Sequence, residues 1–234
     1  MTLLSVEDIH TYYGDSHILH GVSLELEEND VVTLLGRNGA GKTTTLKSIT
    51  GVQPPRRGRV VYRGEDITGL PIHDVSARGI KVVPEHRRVF PTLSVHENIT
   101  TAARIADDPR PVEEMYELFP TLDPLRDNDG RNLSGGEQQM LAIARVLVQS
   151  PELLLLEEPS EGLAPVIVED LHDIISDVVT EDVTVLMTEQ NVNFAFDLAE
   201  RAYIMDAGQV VYEGTIDELR AEDELLETYL ALSS

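Results

Sequence analysis

A glycine-rich segment between an apolar run and a periodic stretch, G-x-x-x-x-G-K-T from Gly36 to Thr43, carries the clearest chemistry. Glycines let backbone N–H groups converge on phosphate oxygens, and the start of a following helix adds partial positive charge. Lys42 would reach the β- and γ-phosphates, and the Thr43 hydroxyl would bind Mg²⁺. The segment therefore predicts a P-loop that binds a nucleotide. Its candidate nucleotide-binding residues are Gly36, Arg37, Asn38, Gly39, Ala40, Gly41, Lys42, Thr43 and Thr44.

A second segment, NLSGGEQQMLAIARVL from Asn132 to Leu147, precedes a helical pattern. Ser134 and Glu137 have the spacing of a capping box, in which each side chain bonds the other residue's N–H group. Ser134, Gly135 and Gly136 would also present free N–H groups to an anion. Both interpretations use the same geometry, so the residues alone leave both open.

Two adjacent carboxylates, Glu157 and Glu158, end the apolar run in LLLLEEPSEG. They would either serve a metal ion and a reacting water, or both be solvated loop acids in an acidic protein. Pro159 fixes the path by which the chain leaves the pair, which favours a shaped site.

Short apolar runs alternate with longer periodic stretches, which predicts an α/β fold with a parallel sheet covered on both faces. The predicted strands are Val31–Leu35, Val60–Tyr62, Ile80–Val83, Leu153–Leu156, Thr184–Met187 and Ala202–Met205. The predicted helices are Lys42–Ile49, Val95–Arg104, Val112–Leu118, Gln138–Val148, Pro165–Val179, Ile216–Arg220 and Leu225–Leu232. From about residue 93 to 150 the pattern is helical, so we expect a single domain with its core in residues 1–92 and 151–234 and an inserted helical subdomain at 93–150.

The charge balance is strongly acidic, with 42 Asp and Glu against 18 Lys and Arg and a formal net charge of −24. The lysines are Lys42, Lys47 and Lys81. Such a surface repels nucleic acid and stays dispersed where salt screens its self-repulsion, which predicts a halophilic cytoplasm. An ordinary acidic protein is the alternative.

No apolar stretch approaches the ~20 residues of a membrane span, so we expect a soluble intracellular chain.

The absence of cysteine excludes disulfides and thiolate metal ligands. The chain has seven histidines, and they show no spacing typical of a metal site. His17 and His20 lie three residues apart, and we expect them to be a solvated pair.

In their order and spacing, the P-loop, the LSGGE segment and LLLLEEP resemble the ATP-binding subunits of ABC transporters over essentially the whole chain. The resemblance implies a P-loop NTPase fold with a mainly parallel sheet core, a helical subdomain and an antiparallel β portion. It implies an ATPase that uses ATP and Mg²⁺. It also implies that the signature, Ser134 to Glu137, serves the nucleotide held by a second subunit in a head-to-tail dimer.

Further roles follow from position within this resemblance. Glu157 would support Mg²⁺, where the family usually has aspartate, and Glu158 would orient or deprotonate the attacking water. Gln190 would contact the γ-phosphate, where most of the family has histidine. Tyr13 would stack on adenine, and Glu85 would contact the metal site and relay its state to the helical insert. The candidate catalytic residues are Glu158, Gln190 and Lys42; the candidate metal residues are Thr43, Glu157 and Glu85; and Tyr13, Ser134, Gly135, Gly136 and Glu137 join the nucleotide-binding set.

The segments VPEHRRVFP, PSEGLAP and TEQN resemble the smaller ATPase subunit of branched-chain amino-acid importers, and relatives that import urea or short amides fit nearly as well. The implied partners are a second ATPase subunit, identical or homologous, polytopic permease subunits, and indirectly an extracytoplasmic substrate-binding protein. The chain would then lie on the cytoplasmic face of the membrane. A non-transport ABC ATPase acting on nucleic acid is the alternative from another class, which the lack of a basic patch disfavours. A third is a weakly hydrolysing ATP sensor, because Glu157 and Gln190 depart from the usual residues.

Overall fold

The computed structural model describes residues 1–86, 89–180 and 183–230. Two sheets and several helices make up this part of the chain. The strands are β1 Thr2–Tyr13, β2 Ser16–Glu27, β3 Val31–Leu35, β4 Arg57–Tyr62, β5 Glu65–Asp66, β6 Ile80–Val83, β7 Leu153–Glu157, β8 Thr184–Glu189, β9 Arg201–Asp206 and β10 Gln209–Thr215. The α-helices are α1 Lys42–Ile49, α2 Ile72–Ala77, α3 Val95–Ala103, α4 Val112–Leu118, α5 Gly135–Leu147, α6 Pro165–Thr180, α7 Val192–Leu198, α8 Ile216–Arg220 and α9 Asp223–Leu230.

The larger sheet has the strand order β10-β9-β3-β8-β7-β6. Its strands from β9 to β6 are parallel, and β10 pairs antiparallel with β9. Alternate residues of β3 enter two different core clusters, Val31 and Leu35 on one face and Val32 and Leu34 on the other. Both faces are therefore covered, which explains the uninterrupted apolar pattern of the strand. The predicted α/β fold with a parallel core is confirmed.

The smaller sheet is antiparallel, with the order β2-β1-β4-β5. Its inward residues Ile9, Leu19 and Val60 share a core with Leu46 and Ile49 of α1. The antiparallel sheet thus packs on the helix that follows the P-loop. This arrangement confirms the antiparallel portion that the family resemblance implies.

From residue 95 to 147, between β6 and β7, the chain contains α3, α4 and α5, with 3₁₀ segments at Pro120–Leu125 and Gly130–Asn132. Buried Met115, Phe119 and Leu141 belong to the same core cluster as Leu154 of β7. These helices therefore share their core with one face of the parallel sheet. The division into a core and an inserted subdomain at residue 93 to 150 stays a prediction.

All six predicted strands are present, and several extend further, as β4 does back to Arg57. Strands β1, β2, β10 and the two-residue β5 were not predicted. In β1 and β2, exposed and half-buried acids, histidines and tyrosines alternate with buried residues, and in β10 exposed positions alternate with half-buried ones. Continuous apolar runs identify strands that are buried on both faces, and they miss strands that face solvent on one side.

The predicted helices are also present, and short α2 and α7 were not predicted. Helix α5 begins at Gly135, three residues before the predicted start at Gln138, because Ser134 caps it. The predicted last helix, Leu225–Leu232, corresponds to α9, and its final two residues lie outside the described part of the chain. Among the described helices, none has the length and apolar character needed to cross a bilayer.

Candidate nucleotide site

The P-loop joins the end of β3 to the start of α1, as its position in the sequence predicts. A side chain at Gly36 would place its Cβ 2.5 Å from the carbonyl oxygen of Met205, so glycine is required there by a close backbone approach. Gly41, the residue that precedes α1, has a left-handed φ of 115°. The backbone N–H of Gly208 donates to the oxygen of Ala40 at 2.8 Å, which braces the loop against the β9–β10 turn. The loop is thus held by its neighbours as well as by its own glycines.

Lys42 is almost completely buried, with 4% of its side chain exposed. Its Nζ donates to the carbonyl oxygen of Gly36 at 2.6 Å and lies 3.2 Å from Oε1 of Glu158. The Glu158 side chain is 9% exposed, so both charges are largely withdrawn from water and compensate one another. The predicted phosphate-binding amine and the predicted catalytic carboxylate are therefore direct neighbours.

The other Glu158 oxygen, Oε2, accepts a hydrogen bond from Nε2 of Gln190 at 2.6 Å. The same nitrogen donates to Oδ1 of Asn38 in the P-loop at 2.8 Å. Glu158 also has a positive φ of 46°, an uncommon conformation for a residue with a side chain. Its backbone N–H is held by the carbonyl oxygen of Thr188 at 2.9 Å. Such a strained, well-held residue is typical of functional sites.

A buried carboxylate behind this cluster was missed by the sequence analysis. Glu189 is 1% exposed and accepts hydrogen bonds from the backbone N–H groups of Ser160, Gln190 and Asn191, at 2.9, 3.1 and 3.2 Å. Burial raises the pKa of Glu189, and these hydrogen bonds offset part of that effect. Glu189 ties the loop after Glu158 to the segment that carries Gln190. Its place within TEQN, at the end of β8 and directly before Gln190, was the only sequence signal for this role.

The two other acidic candidates lie beside each other. The backbone N–H of Glu85 is 3.5 Å from Oε2 of Glu157, at the limit of a hydrogen bond. The described residues contain no group of three histidine or acidic side chains placed to hold a metal ion. Oxygen donors from Thr43, Glu157 and Glu85 nevertheless suit Mg²⁺, which keeps several waters and takes few ligands from protein. These residues fit a metal that is held jointly with nucleotide phosphates.

A cavity of about 370 Å³ opens beside the P-loop. Tyr13, with 42% of its surface exposed, lies on its wall together with Thr43, Glu85 and Glu158. Ile18 and Glu161 also line the cavity and were not predicted. The remaining lining residues are Asn38, Gly39, Gly41, Lys42 and Thr44. The structure therefore gathers half of the predicted nucleotide-binding set around one space.

Glu161 follows Glu158 within a single turn, since its N–H donates to the carbonyl oxygen of Glu158 at 3.1 Å. A hydrogen bond with the Glu158 side chain, together with burial, raises the pKa of Glu161. The i to i+3 spacing of the two acids was the available sequence signal. Ile18 gave no such signal, because it enters the wall only through the pairing of β1 with β2.

The signature residues form the predicted capping box. Oγ of Ser134 accepts from the N–H of Glu137 at 3.3 Å, and Oε2 of Glu137 accepts from the N–H of Ser134 at 2.6 Å. Gly135 and Gly136 form the first turn of α5. Among the described residues that line the P-loop cavity, none belongs to this signature. Within one chain the P-loop and the signature are thus not brought to a common cavity.

The histidine pair reaches solvent, with His20 exposed and His17 half-buried, and its rings also form a cluster that was not predicted. His17 and His20 have ring centroids 3.9 Å apart, His10 Nδ1 lies 3.1 Å from His17 Nε2, and Tyr12 stacks on His17 at 4.1 Å. The register of β1 against β2 pairs His10 with His20 and Tyr12 with His17, which brings the rings together. Cross-strand pairing of two unpredicted strands is the reason that the contact was missed.

The parallel sheet, the P-loop at the end of β3 and the carboxylate that contacts its lysine define a P-loop NTPase. Residues 19–161 match the ABC transporter family. The chain therefore belongs to the ABC transporter family, and it is an ATP-binding, ATP-hydrolysing cassette.

Full-length relatives agree with that assignment. The high-affinity branched-chain amino acid transport ATP-binding protein BraG of Pseudomonas aeruginosa is 42% identical over 97% of this chain and 99% of that protein. The lipopolysaccharide export system ATP-binding protein LptB of Haemophilus influenzae is 37% identical over 98% of each. A nucleotide-free ATP-binding cassette from an ABC transporter has the same fold, with a TM-score of 0.86, 24% identity and complete coverage of both chains. A dimeric bacterial ABC transporter cassette covers 92% of this chain and 99% of its own, with a TM-score of 0.81 and 23% identity.

Proposed function

We propose that this chain is the ATP-hydrolysing subunit of an importer of branched-chain amino acids. The observation that carries the substrate class is the full-length match to BraG, at 42% identity. The match to LptB favours a second candidate, a subunit of a lipopolysaccharide exporter, at 37% identity. Import of urea or short amides is a third reading of the same sequence segments. The chain would work on the cytoplasmic face of the membrane, attached through permease subunits.

The contact between Lys42 and Glu158 supports a mechanism for hydrolysis. Nucleotide phosphates at the P-loop would draw the Lys42 amine toward them, because several phosphate oxygens carry more negative charge than one carboxylate. Oε1 of Glu158 would then be released from the 3.2 Å ion pair and become free to accept a proton from water. Gln190, bonded to Oε2, would hold the carboxylate in place during this exchange. Mg²⁺, held with the help of Thr43 and Glu157, would neutralise charge on the phosphates.

A head-to-tail dimer is the proposed working unit. The signature caps α5 within this chain and does not line the cavity beside the P-loop. In the proposed dimer, the N–H groups of Gly135 and Gly136 at the start of α5 would meet the nucleotide of the second subunit, while the N–H of Ser134 is already bonded to Glu137. The second subunit is either a copy of this chain or a homologue.

The permease contact is proposed for a cavity of about 620 Å³ on another side of the protein. Tyr62 and Lys81 from the sheets, Ile105 after α3, and Asp107 and Gln149 line it. Ile105 is 76% exposed and gives the cavity an apolar edge. A short amphipathic segment of a permease would suit this mixture of apolar and charged groups.

Reconstitution tests the substrate class. The chain would be co-expressed with candidate permease subunits, purified as a complex and placed in lipid vesicles with the cognate binding protein. We expect leucine, isoleucine or valine on the binding protein to raise ATP hydrolysis, with a complex carrying Lys42→Ala as the inactive control. Stimulation by urea alone would favour the short-amide alternative. Stimulation by a lipopolysaccharide would favour export and contradict the proposal.

A further inference from the structure

The first turn of the signature helix packs tightly on the first turn of α6. A Cβ built on Gly136 would lie 2.9 Å from both Cγ1 and Cγ2 of Ile167 and 3.2 Å from its Cδ1. Real Cβ atoms do not approach other heavy atoms so closely. Gly136 is helical and does not have a positive φ. Since alanine is a better helix former than glycine, the backbone gives no reason for glycine here, and the contact with Ile167 does.

Ile167 is joined to the loop that carries Glu158 by a series of short-range hydrogen bonds. The N–H of Glu161 donates to the oxygen of Glu158 at 3.1 Å, and the N–H of Ile167 donates to the oxygen of Ala164 at 2.9 Å. Ser160, which lies between Glu158 and Glu161, donates its backbone N–H to buried Glu189 at 2.9 Å. The loop and the start of α6 therefore form a continuous, locally bonded unit. A displacement of Glu158 along its backbone would be passed to the Ile167 side chain.

We propose that Ile167 is a positioning residue that sets the signature turn through its contact with Gly136. The contact connects the Glu158 loop, which acts on the chain's own nucleotide, with the signature, which acts on the partner's nucleotide. This inference rests on the proposed head-to-tail dimer. Through it, the state of one nucleotide site is transmitted to the other within a single chain.

A competing reason for glycine at this position is space for the partner's nucleotide. The two reasons predict different results when a methyl group is added to Gly136 and the Ile167 side chain is then shortened. If Ile167 alone excludes the methyl group, Ile167→Ala removes all three of the clashing atoms and restores the turn. Ile167→Val keeps Cγ1 and Cγ2, the two closest atoms, so it is the matched control that should fail to restore the turn.

The experiment uses the full chain carrying Glu158→Gln, in which the ATP-bound dimer is expected to accumulate. Dimerisation is measured by sedimentation velocity as a function of ATP for four versions: Gly136→Ala, Ile167→Ala, Gly136→Ala with Ile167→Ala, and Gly136→Ala with Ile167→Val. We expect Gly136→Ala to weaken ATP-dependent dimerisation by about tenfold or more, a typical size for coupling between contacting residues. The double alanine variant should recover to within about threefold of Ile167→Ala alone, and the valine combination should stay impaired.

Two results would overturn the inference. One is a Gly136→Ala chain that dimerises normally, and the other is a double alanine variant that remains as impaired as Gly136→Ala. Melting temperature and ATP binding by the monomer are recorded for every variant. A double variant that regains its melting temperature without regaining dimerisation would show a structural contact only and would also overturn the positioning role. If the chain with Glu158→Gln as its only change fails to dimerise with ATP, the proposed dimer of two copies of this chain is wrong, which separates the two failures.

Discussion

The amine of Lys42 lies 3.2 Å from a carboxylate oxygen of Glu158, and each side chain is at most 9% exposed. This pair connects the P-loop to the end of β7 across the parallel sheet. Glu158 holds a second bond to Gln190, which in turn contacts Asn38 of the P-loop. An unbroken series of contacts thus links four predicted site residues. A substitution of Glu158 should therefore change the rate of ATP hydrolysis.

Glu158→Gln should reduce ATP hydrolysis by at least ~10²-fold, because it removes a positioned proton acceptor. ATP binding and the ATP-bound dimer should persist, since the P-loop and the metal candidates are unchanged. Single-turnover hydrolysis and equilibrium ATP binding measure the two effects separately. An enzyme that turns over at its normal rate after this change would assign the water-activating role elsewhere.

Glu157→Gln should instead increase the Mg²⁺ concentration needed for half-maximal activity, because the lost charge supports the metal. Glu157→Asp, which restores the residue usual in the family, should stay active. Magnesium titrations of the two variants at saturating ATP provide the comparison. The variants form a matched pair, because Glu157→Asp keeps the charge and Glu157→Gln removes it. If Glu157→Gln accumulates the ATP-bound dimer with unchanged magnesium demand while Glu158→Gln turns over, the two carboxylates have exchanged roles.

The ring of Tyr13 should strengthen ATP binding by stacking on adenine. Tyr13→Ala should weaken ATP binding by ~1–3 kcal/mol, the range found when an aromatic side chain that stacks on a base is removed. Tyr13→Phe keeps the ring and should bind ATP nearly as the parent does. Equilibrium titration with a fluorescent ATP analogue measures both. Equal loss in the two variants would assign the effect to the hydroxyl and contradict stacking.

The local sequence pattern was sufficient to predict the structure of those parts of the site whose residues are contiguous in the chain. The P-loop, the Ser134 cap and the position of Glu158 after a buried strand all follow from neighbours in sequence. Each of these depends on backbone geometry within one turn or one strand end, and short motifs encode such geometry.

The sequence pattern did not predict contacts between segments that are far apart in the chain. Glu189 reaches the loop after Glu158 because β8 and β7 are adjacent and parallel, with Glu157 paired to Thr188. The same limit applies to Ile18 and to the cluster of His10 and His17, which depend on the pairing of β1 with β2. Register between strands is determined by the whole sheet, so a single segment does not carry it.

Complementation in mixed dimers tests whether the signature acts on the second subunit's nucleotide. Lys42→Ala damages the P-loop, and Ser134→Arg damages the signature. Each variant should be inactive alone, while a mixed dimer would contain one intact site and one doubly damaged site. ATP hydrolysis should therefore appear only when the two chains are mixed. The control is a mixture of the Lys42→Ala chain with a chain carrying both changes, which has no intact site in any dimer. Inactivity of the first mixture, with mixed dimers detected by tagged pull-down, would contradict action in trans.

The acidic surface should make stability depend on salt. At a formal net charge of −24, self-repulsion opposes both folding and the approach of a second chain, and its range shrinks from about 30 Å at 0.01 M salt to about 3 Å at 1 M. We expect the melting temperature to rise steadily from low to molar KCl, as the halophilic interpretation requires. Sucrose at matched osmolarity is the control, because it favours compact states through exclusion from the protein surface and leaves charges unscreened. A melting temperature that is flat or falls with KCl would remove the halophilic interpretation and leave an ordinary acidic protein. A rise that sucrose reproduces in full would show that screening of the acidic surface is not the cause.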